Sequence, residues 1–257
     1  MGKEILGNIE LNRIYQMDCL EGMKLIPDKS IDMILCDLPY GTTQNKWDTI
    51  IPLDKLWEQY NRIIKDNGAI VLTSMEPFTS SLIQSNLKLF KYKWIWDKRN
   101  STGFLNAKKQ PLRVTEDIVI FYKRQCTYNP KMDVRGKPRN KGSYNKEGGS
   151  NNYGTFHNVE SFNNEYYPTN LLSISNAHKK GKIHPTQKPV ELFEYLINTY
   201  TNENEVVLDN CIGSGTTAVA CINTNRKWIG FETDSNYIEL ANKRLEQIQL
   251  EDDLDKY

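Results

Sequence analysis

The chain of 257 residues is long enough to bury one sizeable core, and one domain with an insertion accounts for this length as well as two small domains do. Hydrophobic residues make up 39%, charged residues 25%, and the formal net charge is +1, so the composition excludes a wholly disordered chain and a uniformly basic nucleic-acid binder. No apolar run approaches the roughly 18 residues of a membrane span, and the start MGKEILGNIELN lacks the apolar block of a signal peptide, so we expect a cytoplasmic protein that does not enter a membrane.

Short apolar runs rich in Ile, Val and Trp alternate along the chain with stretches of helical periodicity. The runs predict strands at 31–36, 68–73, 92–97, 116–123, 205–209 and 227–231. Helices are predicted at LDKLWEQYNRIIKDNG, with Gly68 following the end, at PVELFEYLINTYT, opened by Pro189, and at SNYIELANKRLEQIQL. Strands that alternate with helices favour an α/β fold with a mostly parallel sheet flanked by helices.

One region interrupts this alternation. Residues 124–167 are dominated by Asn, Gly, Lys, Ser and Tyr, and they hold too few apolar residues for a core of their own. Because the α/β pattern resumes afterwards, we predict one domain formed by residues 1–123 and 168–257 with 124–167 as an insertion. Between Lys123 and Glu147, eight basic residues stand against two acidic ones. This pattern is typical of a surface that meets phosphates, although a solvated loop gives the same pattern.

The cysteines and histidines indicate neither a disulfide framework nor a metal site. The cysteines are odd in number and form no C-x-x-C pair, and the three histidines lack ligand spacing. We therefore expect reduced, mostly buried thiols and no bound metal.

The segment EVVLDNCIGSGTTAVACINTNRKWIGFETD predicts a strand, a Gly-rich turn, a helix and a second strand that ends in an acid, Glu232. Small residues let the backbone approach a ligand, and the acid can accept hydrogen bonds from ribose hydroxyls. The turn is neither G-x-G-x-x-G nor a P-loop, which disfavours a nicotinamide cofactor and leaves a nucleoside with little phosphate, such as S-adenosylmethionine. Glycines that only form a tight turn are the alternative.

Three motifs resemble those of DNA amino-methyltransferases of the beta group. DNCIGSGTT at 209–217 is similar to the methionine-binding loop, HPTQKP at 184–189 to the second cofactor motif, and DLPY at 37–40 to the catalytic Asp-Pro-Pro-Tyr. The catalytic motif comes first, which is the circularly permuted order of the beta group, and the resemblance covers most of the chain outside the insertion. It implies a Rossmann-like methyltransferase fold.

The resemblance implies a set of residues that contact S-adenosylmethionine. Its members are Asp18 for the adenine, Glu232 for the ribose hydroxyls, Asp209, Cys211, Gly213, Gly215 and Thr216 for the methionine part, and Thr186, Gln187 and Lys188 for the opposite side. For HPTQKP alone, a turn that leads into a helix at Pro189 explains the residues equally well.

The resemblance also implies the chemistry of residues 37–40. An exocyclic amine of adenine or cytosine is a poor nucleophile because its lone pair is delocalised into the ring. The Asp37 carboxylate and the Leu38 carbonyl would each accept one amine hydrogen, which directs the lone pair at the methyl group without a covalent enzyme intermediate. The base must first leave the duplex, and Tyr40 offers it an aromatic face, with Pro39 fixing the turn. A strand-ending turn with a surface acid would also use Asp and Pro.

Leu38 departs from the family, in which proline is usual. A leucine keeps the carbonyl, and its place before Pro39 restricts it to extended conformations, so we expect an effect on rate rather than on reaction class. Asp37 at the first position, rather than a serine, favours adenine over cytosine within the family.

Two sets of basic residues are candidates for DNA contacts. Lys108, Lys109 and Arg113 suit phosphates, with a solvated loop as the alternative. The insertion would be the target-recognition region, where Arg135, Lys137 and Arg139 suit phosphates or base edges.

Together these features predict a site-specific DNA adenine-N6 methyltransferase that uses S-adenosylmethionine and acts on double-stranded DNA. Cytosine-N4 methylation is the runner-up. RNA or protein methylation, a catalytically silent DNA-binding relative and, last, a nicotinamide-dependent oxidoreductase are further alternatives. A homodimer and a restriction endonuclease as functional counterpart agree with the resemblance, and no feature of the sequence decides either.

Overall fold

The computed structural model describes residues 3–41, 49–141, 148–150, 154–156, 161–176 and 187–254. The chain divides into two compact units, a first unit of residues 1–129 and 170–257 and a second unit of residues 130–169. The strands are β1 (Ile5–Leu6), β2 (Ile9–Glu10), β3 (Arg13–Gln16), β4 (Ile31–Asp37), β5 (Ile64–Ser74), β6 (Phe90–Thr102), β7 (Arg113–Phe121), β8 (Asp133–Lys141), β9 (Gly148–Ser150), β10 (Gly154–Phe156), β11 (Ser161–Tyr166), β12 (Leu171–Ser173), β13 (Val206–Asp209) and β14 (Lys227–Glu232). The α-helices are α1 (Cys19–Met23), α2 (Leu53–Ile63), α3 (Phe78–Ser85), α4 (Val190–Tyr200), α5 (Thr216–Asn223) and α6 (Ser235–Leu254), and a 3-10 helix covers Phe104–Asn106.

An eight-stranded sheet with the spatial order β12-β6-β7-β5-β4-β13-β14-β3 forms the centre of the first unit. Strand β7 is antiparallel to both of its neighbours, and the other neighbouring pairs of this sheet are parallel. The chain leaves β4 toward β5 on one side and β13 toward β14 on the other, so the strand order reverses between β4 and β13. Open α/β sheets bind their ligands at the carboxyl ends of the strands beside such a point.

The sheet is covered on both faces, because alternate side chains of each strand point to opposite sides. In β4, Ile34 and Cys36 join a core with α1, α2 and α3, whereas Met33 and Leu35 join a second core with α4, α5 and α6. The mostly parallel sheet flanked by helices confirms the α/β fold class expected from the sequence.

Helix α2 is shorter than its apolar periodicity predicts. Leu56, Trp57, Tyr60 and Ile63 are buried on one face as expected, but the helix ends at Ile63 instead of continuing to Gly68. The next residue, Ile64, already belongs to β5 and pairs with Ile31 of β4. Pairing of Ile64, a β-branched residue, with the neighbouring strand therefore outweighs the helical periodicity of the local sequence.

The second unit contains two antiparallel strand pairs, β8 with β11 and β9 with β10, and the first pair is bulged between Asn163 and Glu165. Residues 124–129, which the sequence assigns to the insertion, belong to the first unit. There the backbone N–H of Arg124 donates to the carbonyl of Asp66 at 3.2 Å, and that of Asn129 to the carbonyl of Thr199 at 2.8 Å.

The five cysteines are all free thiols, and four of them are buried, which confirms the expectation of reduced, mostly buried cysteines. Among the described helices, none combines the length and the apolar character that a membrane span needs.

Candidate active site

A cavity of about 660 Å³ lies at the carboxyl ends of β4 and β13, where the strand order reverses. Asp37, Asp209 and Glu232 are the last residues of β4, β13 and β14, so parallel pairing brings three acids to one edge of the sheet. The volume falls within the range of small-molecule sites. The predicted site residues that line the cavity are Asp18, Asp37, Leu38, Pro39, Tyr40, Arg113, Gln187, Lys188, Asp209, Cys211, Gly213, Thr216 and Glu232.

The remaining predicted residues lie elsewhere. Gly215 precedes α5 without lining the cavity, and Thr186 lies outside the described residues. Lys108 and Lys109 are exposed just after the 3-10 helix and are not among the lining residues. The last group, on β8 of the second unit, consists of Arg135, Lys137 and Arg139.

The two oxygens of the Asp37 carboxylate have different surroundings. Oδ1 accepts hydrogen bonds from the Tyr40 hydroxyl at 2.7 Å and from the Thr73 hydroxyl, and it also lies 2.8 Å from Nζ of Lys188. Oδ2 lies 2.8 Å from the same Nζ, which is its one partner among the residues that the structure describes. One oxygen is therefore surrounded by three donors and the other by one.

Lys188 continues into a row of buried charges. Its side chain is 10% exposed, and Nζ lies 3.3 Å from Oε2 of Glu116, whose Oε1 lies 3.1 Å from Nζ of the almost fully buried Lys98. Burial disfavours the ammonium form of Lys188, but the charges of Asp37 and Glu116 outweigh this effect and hold the pKa of Lys188 well above its ordinary value. Asp37, Lys188, Glu116 and Lys98 thus alternate in sign along the cavity.

Sheet topology explains why these residues meet. Thr73 is directly opposite Asp37 in the register of β5 and β4. Lys98 lies toward the carboxyl end of β6, and Glu116 lies toward the start of β7, which runs the other way and so begins at the same edge. Sequence reasoning did not select Thr73 or Glu116. The sequence does contain one signal for them, namely a polar residue at an end of each apolar run. That signal points to the cavity only when the directions of the strands are known.

The glycine loop holds Asp209 in a buried position. Its Oδ1 accepts a hydrogen bond from the backbone N–H of Cys211 at 3.0 Å, and its Oδ2 accepts one from the Thr217 hydroxyl. Burial raises the pKa of Asp209 to about 6, although both hydrogen bonds act in the opposite direction. The loop ends at Gly215, which has a φ of 79°, and a Cβ added there would lie 3.1 Å from Cβ of Ala241. A side chain at this position would therefore strain the turn and crowd the helix beside it.

Glu232 already receives three backbone N–H groups. Its Oε2 accepts from Gly213 at 3.0 Å, and its Oε1 accepts from Thr233 at 2.8 Å and from Asp234 at 2.9 Å. A carboxylate offers about four acceptor positions, so about one remains for a ligand. Asp18 similarly uses Oδ1 to accept from the backbone N–H of Leu20 at 2.8 Å, as the N-cap of α1.

Two sets of hydrogen bonds that hold the glycine loop and Gln187 in place were not predicted from the sequence. The buried Tyr60 hydroxyl donates a hydrogen bond to Oδ1 of Asn210 in the glycine loop. Arg244 of α6 donates to the Ser214 carbonyl at 3.2 Å and, with the amide oxygen of Gln187 turned toward it, to that oxygen at 3.1 Å. Since these partners are distant in sequence, no local pattern reveals them.

The other members of the DLPY motif combine packing with access to the cavity. The Tyr40 ring stacks on Phe78 with centroids 5.5 Å apart, and Nζ of Lys188 lies 5.6 Å from the Tyr40 centroid. Leu38 lines the cavity, but it is only 3% exposed and belongs to the core under α1, α2 and α3. Substitution of Leu38 therefore affects packing as well as the backbone.

In the second unit, basic groups gather on an aromatic ring. The guanidinium carbons of Arg135 and Arg139 lie 5.4 Å and 5.7 Å from the centroid of Tyr166, and Lys137 between them is exposed. Arg135 also contacts Asp133 at 2.5 Å. Among the described residues of the chain, no group of three His, Cys, Asp or Glu is arranged to hold a metal ion.

A cavity at the reversal point of a mostly parallel sheet, with acids at the strand ends beside a Gly-rich loop, defines a Rossmann-like protein with a nucleoside-type site. The sequence profile of the N6/N4 family, described as DNA methylase, matches residues 31–243, and the chain belongs to this family.

Individual relatives extend over nearly the whole chain. The Type II methyltransferase M.HpaI of Haemophilus parainfluenzae is 28% identical over 251 residues, which cover 91% of this chain and 74% of the relative. The DNA adenine methyltransferase YhdJ of Escherichia coli (strain K12) is 29% identical over 260 residues, which cover 92% and 83% of the two chains.

Solved structures share the fold. The crystal structure of the M1.HpyAVI–SAM complex has a TM-score of 0.61 and 26% sequence identity, and the match covers 91% of this chain and 98% of the other. The cytosine-N4-specific PvuII DNA methyltransferase has a TM-score of 0.63 at 19% identity over 89% and 84% of the two chains, which shows a common fold alone.

Proposed function

We propose that this protein transfers the methyl group of S-adenosylmethionine to the N6 amine of adenine in double-stranded DNA. The observation that carries the proposal is the meeting of Asp37 with the glycine loop and Glu232 in one cavity of a DNA methylase family member. This arrangement offers a carboxylate acceptor for an amine within reach of a site for a nucleoside.

The residues around the glycine loop fit S-adenosylmethionine. Glu232 has about one acceptor position left for a ribose hydroxyl, and Asp209 offers a carboxylate for the positively charged amino group of the methionine part. A structural relative was crystallised with SAM. When bound, the cofactor would supply an activated methyl group: its carbon–sulfur bond would break as the amine nitrogen takes the methyl group, leaving S-adenosylhomocysteine, and the methylated amine would release one proton to solvent. The chain's own residues supply the acceptors and the orientation.

The residues of the DLPY motif would prepare the amine. Asp37 accepts one hydrogen and the Leu38 carbonyl the other, which directs the nitrogen lone pair out of the ring plane. The hydrogen bonds from Tyr40 and Thr73 fix the Asp37 carboxylate before the base arrives, so little reorganisation is needed. Tyr40 would also stack on the base after it has left the duplex.

Adenine is favoured over cytosine by the aspartate at position 37 and by the relative named as a DNA adenine methyltransferase. Arg113 at the cavity and Lys108 and Lys109 nearby in sequence would contact phosphates, and Arg135, Lys137 and Arg139 would contact the target in the second unit. Relatives named as Type II methyltransferases support a restriction endonuclease as functional counterpart. A homodimer stays a prediction from the family resemblance.

The test incubates the protein with methyl-labelled S-adenosylmethionine and duplex DNA of mixed sequence, and then digests the product to nucleosides. Label in N6-methyladenine supports the proposal, whereas label in N4-methylcytosine would select the runner-up. Asp37→Ala is expected to lower transfer at least a hundredfold. Absence of transfer by the wild-type protein, or equal transfer by Asp37→Ala, would refute the proposed function.

A further inference from the structure

Asp37 can receive a target amine at only one of its oxygens. Oδ1 is surrounded by Tyr40, Thr73 and Lys188, which exceeds the two lone pairs of an oxygen. Oδ2 has Lys188 as its one partner among the described residues. An amine hydrogen must therefore go to Oδ2, the oxygen on which Nζ of Lys188 also lies.

Lys188 in this position opposes the reaction that Asp37 would promote. The amine nitrogen becomes positively charged as it is methylated, and a nearby carboxylate stabilises that charge. An ammonium group 2.8 Å from both carboxylate oxygens cancels most of this stabilisation, because opposite charges at such distances nearly neutralise each other's field. Efficient transfer therefore requires Lys188 to leave Asp37 when the base enters.

A second carboxylate is ready to receive Lys188. Oε2 of Glu116 is buried without a hydrogen bond among the described residues, and it lies 3.3 Å from Nζ of Lys188, an ion-pair distance without hydrogen-bond geometry. The other oxygen of Glu116 is paired with Lys98, which is 2% exposed and lies at the wall of the cavity. Lys98 thus fixes Glu116 in place, while Oε2 remains open to a cation.

We propose that Glu116 is a positioning residue that takes the ammonium group of Lys188 from Asp37 when the target amine binds to Oδ2. In the absence of substrate, Lys188 neutralises the carboxylate of Asp37. When its ammonium group moves to Glu116, the negative charge of Asp37 again acts on the amine to which the methyl group is transferred. This inference rests on the proposed methyl transfer to an exocyclic amine, and it applies equally to adenine and cytosine.

The first experiment compares Glu116→Gln with Asp117→Asn. Asp117 is the next residue of β7, has nearly the same side-chain exposure (13% against 14%) and is also paired with a lysine, Lys93, at 2.9 Å. Unlike Glu116, it does not line the cavity. In single-turnover assays with S-adenosylmethionine and duplex DNA, Glu116→Gln should lower the methylation rate about tenfold, with dissociation constants for both ligands within about threefold of wild type. Asp117→Asn should keep the rate within about threefold.

A double-mutant cycle separates this role from a structural one. In a Lys188→Gln background there is no ammonium group to transfer, so Glu116→Gln should cause no further loss of rate. Multiplicative losses would overturn the proposal, as would a wild-type rate in Glu116→Gln or an equal loss in Asp117→Asn. If the wild-type protein methylates DNA and one of these contrary outcomes appears, only the proposed movement of Lys188 to Glu116 is refuted. A wild-type protein that methylates no DNA refutes the proposed function itself.

A structural readout is independent of activity and of the folding of any variant. In a crystal structure of the wild-type protein with S-adenosylhomocysteine and duplex DNA, Nζ of Lys188 should lie closer to Oε2 of Glu116 than to Oδ2 of Asp37. An Nζ that remains on both oxygens of Asp37 beside a bound base would overturn the proposal.

Discussion

Lys188 and Asp37, which are 151 residues apart in the chain, form an ion pair in which Nζ lies 2.8 Å from each carboxylate oxygen. The family resemblance assigns Lys188 to the cofactor side and Asp37 to the catalytic side. Asp37 is the last residue of β4, and Lys188 lies two residues before the start of α4, so their contact joins the two motifs. Lys188 therefore influences the electrostatic field at Asp37, the proposed acceptor for the amine, whatever it contributes to cofactor binding.

Replacing Lys188 with methionine should destabilise the protein. The change leaves Glu116 and Asp37 short of one cation, and breaking a buried pair usually costs several kcal/mol. Because the Asp37 side chain is 31% exposed, water screens part of this cost and about 1–3 kcal/mol is expected. Urea unfolding measures it. The control is Lys243→Met, whose pair with Glu239 is exposed and should leave the free energy of unfolding close to that of wild type. Equal losses in both variants would contradict a structural role of the buried pair.

Tyr40 is expected to act through both its hydroxyl and its ring. Tyr40→Phe removes the hydrogen bond to Oδ1 of Asp37, and the single-turnover rate should fall about threefold to tenfold. Tyr40→Ala also removes the aromatic face, and since stacking is worth about 1–3 kcal/mol per base, DNA carrying the target should bind about tenfold more weakly than to Tyr40→Phe. Equal DNA affinity of Tyr40→Phe and Tyr40→Ala would argue against stacking.

Leu38→Pro should change stability more than rate. The backbone carbonyl remains in place, so we expect a methylation rate within a few-fold of wild type. The leucine side chain is 3% exposed, and its partial loss from the core should lower the free energy of unfolding by about 1–2 kcal/mol. Thermal unfolding and single-turnover assays measure the two effects. A large loss of rate with unchanged stability would show that leucine itself, rather than its carbonyl, is needed.

Local sequence patterns were sufficient for most elements of the first unit. The run IDMILC became β4 and EVVLD became β13, because continuous apolar runs bounded by polar residues are typical of strands buried on both faces. Helix α2 was predicted too long, since Ile64 fits the periodicity of the helix as well as a strand, and only its pairing with Ile31 decides between them.

The candidate site was predictable only where its residues are contiguous in sequence. DLPY and the glycine loop were found as motifs, and they line one cavity. Thr73 contacts Asp37 directly, whereas Glu116 and Lys98 are linked to Asp37 only through Lys188. The positions of all three depend on strand order and on the reversed direction of β7. A single sequence does not contain that order in any local pattern.

Arg135 and Arg139 of β8 should contribute affinity for DNA through contacts with phosphates. Arg135→Gln together with Arg139→Gln removes both guanidinium groups that lie near Tyr166. If each contacts one phosphate, the negative slope of log affinity against log salt concentration should become shallower by about 2. Fluorescence anisotropy across a salt series measures the slope. Lys55→Gln, an exposed lysine of the first unit outside the cavity, is the control and should leave it unchanged. An unchanged slope in the double variant would exclude these arginines from phosphate contacts.

Asp209 should make stability depend on pH in an unusual direction. Burial raises its pKa from an ordinary 3.8 to about 6, so the folded state binds a proton more tightly than the unfolded state does. The stability that this proton provides is fully present below pH 4 and is lost as the pH rises through 6. At about 1.4 kcal/mol for each pH unit, the loss amounts to about 3 kcal/mol at pH 7.

Asp209→Asn tests this dependence, because asparagine keeps an oxygen for the N–H of Cys211 but carries no charge. Relative to wild type, the free energy of unfolding of the variant should be similar at pH 4 and about 2–3 kcal/mol higher at pH 7. Calorimetric binding of S-adenosylmethionine should respond in the opposite sense. Wild-type affinity should fall below pH 6, where the carboxylate gains a proton, while the variant should bind weakly at every pH. If the variant and the wild-type protein differ in free energy of unfolding by the same amount at pH 4 and pH 7, the Asp209 carboxyl group does not titrate in this range. The ionised carboxylate would then need no positive charge from the ligand to offset its burial.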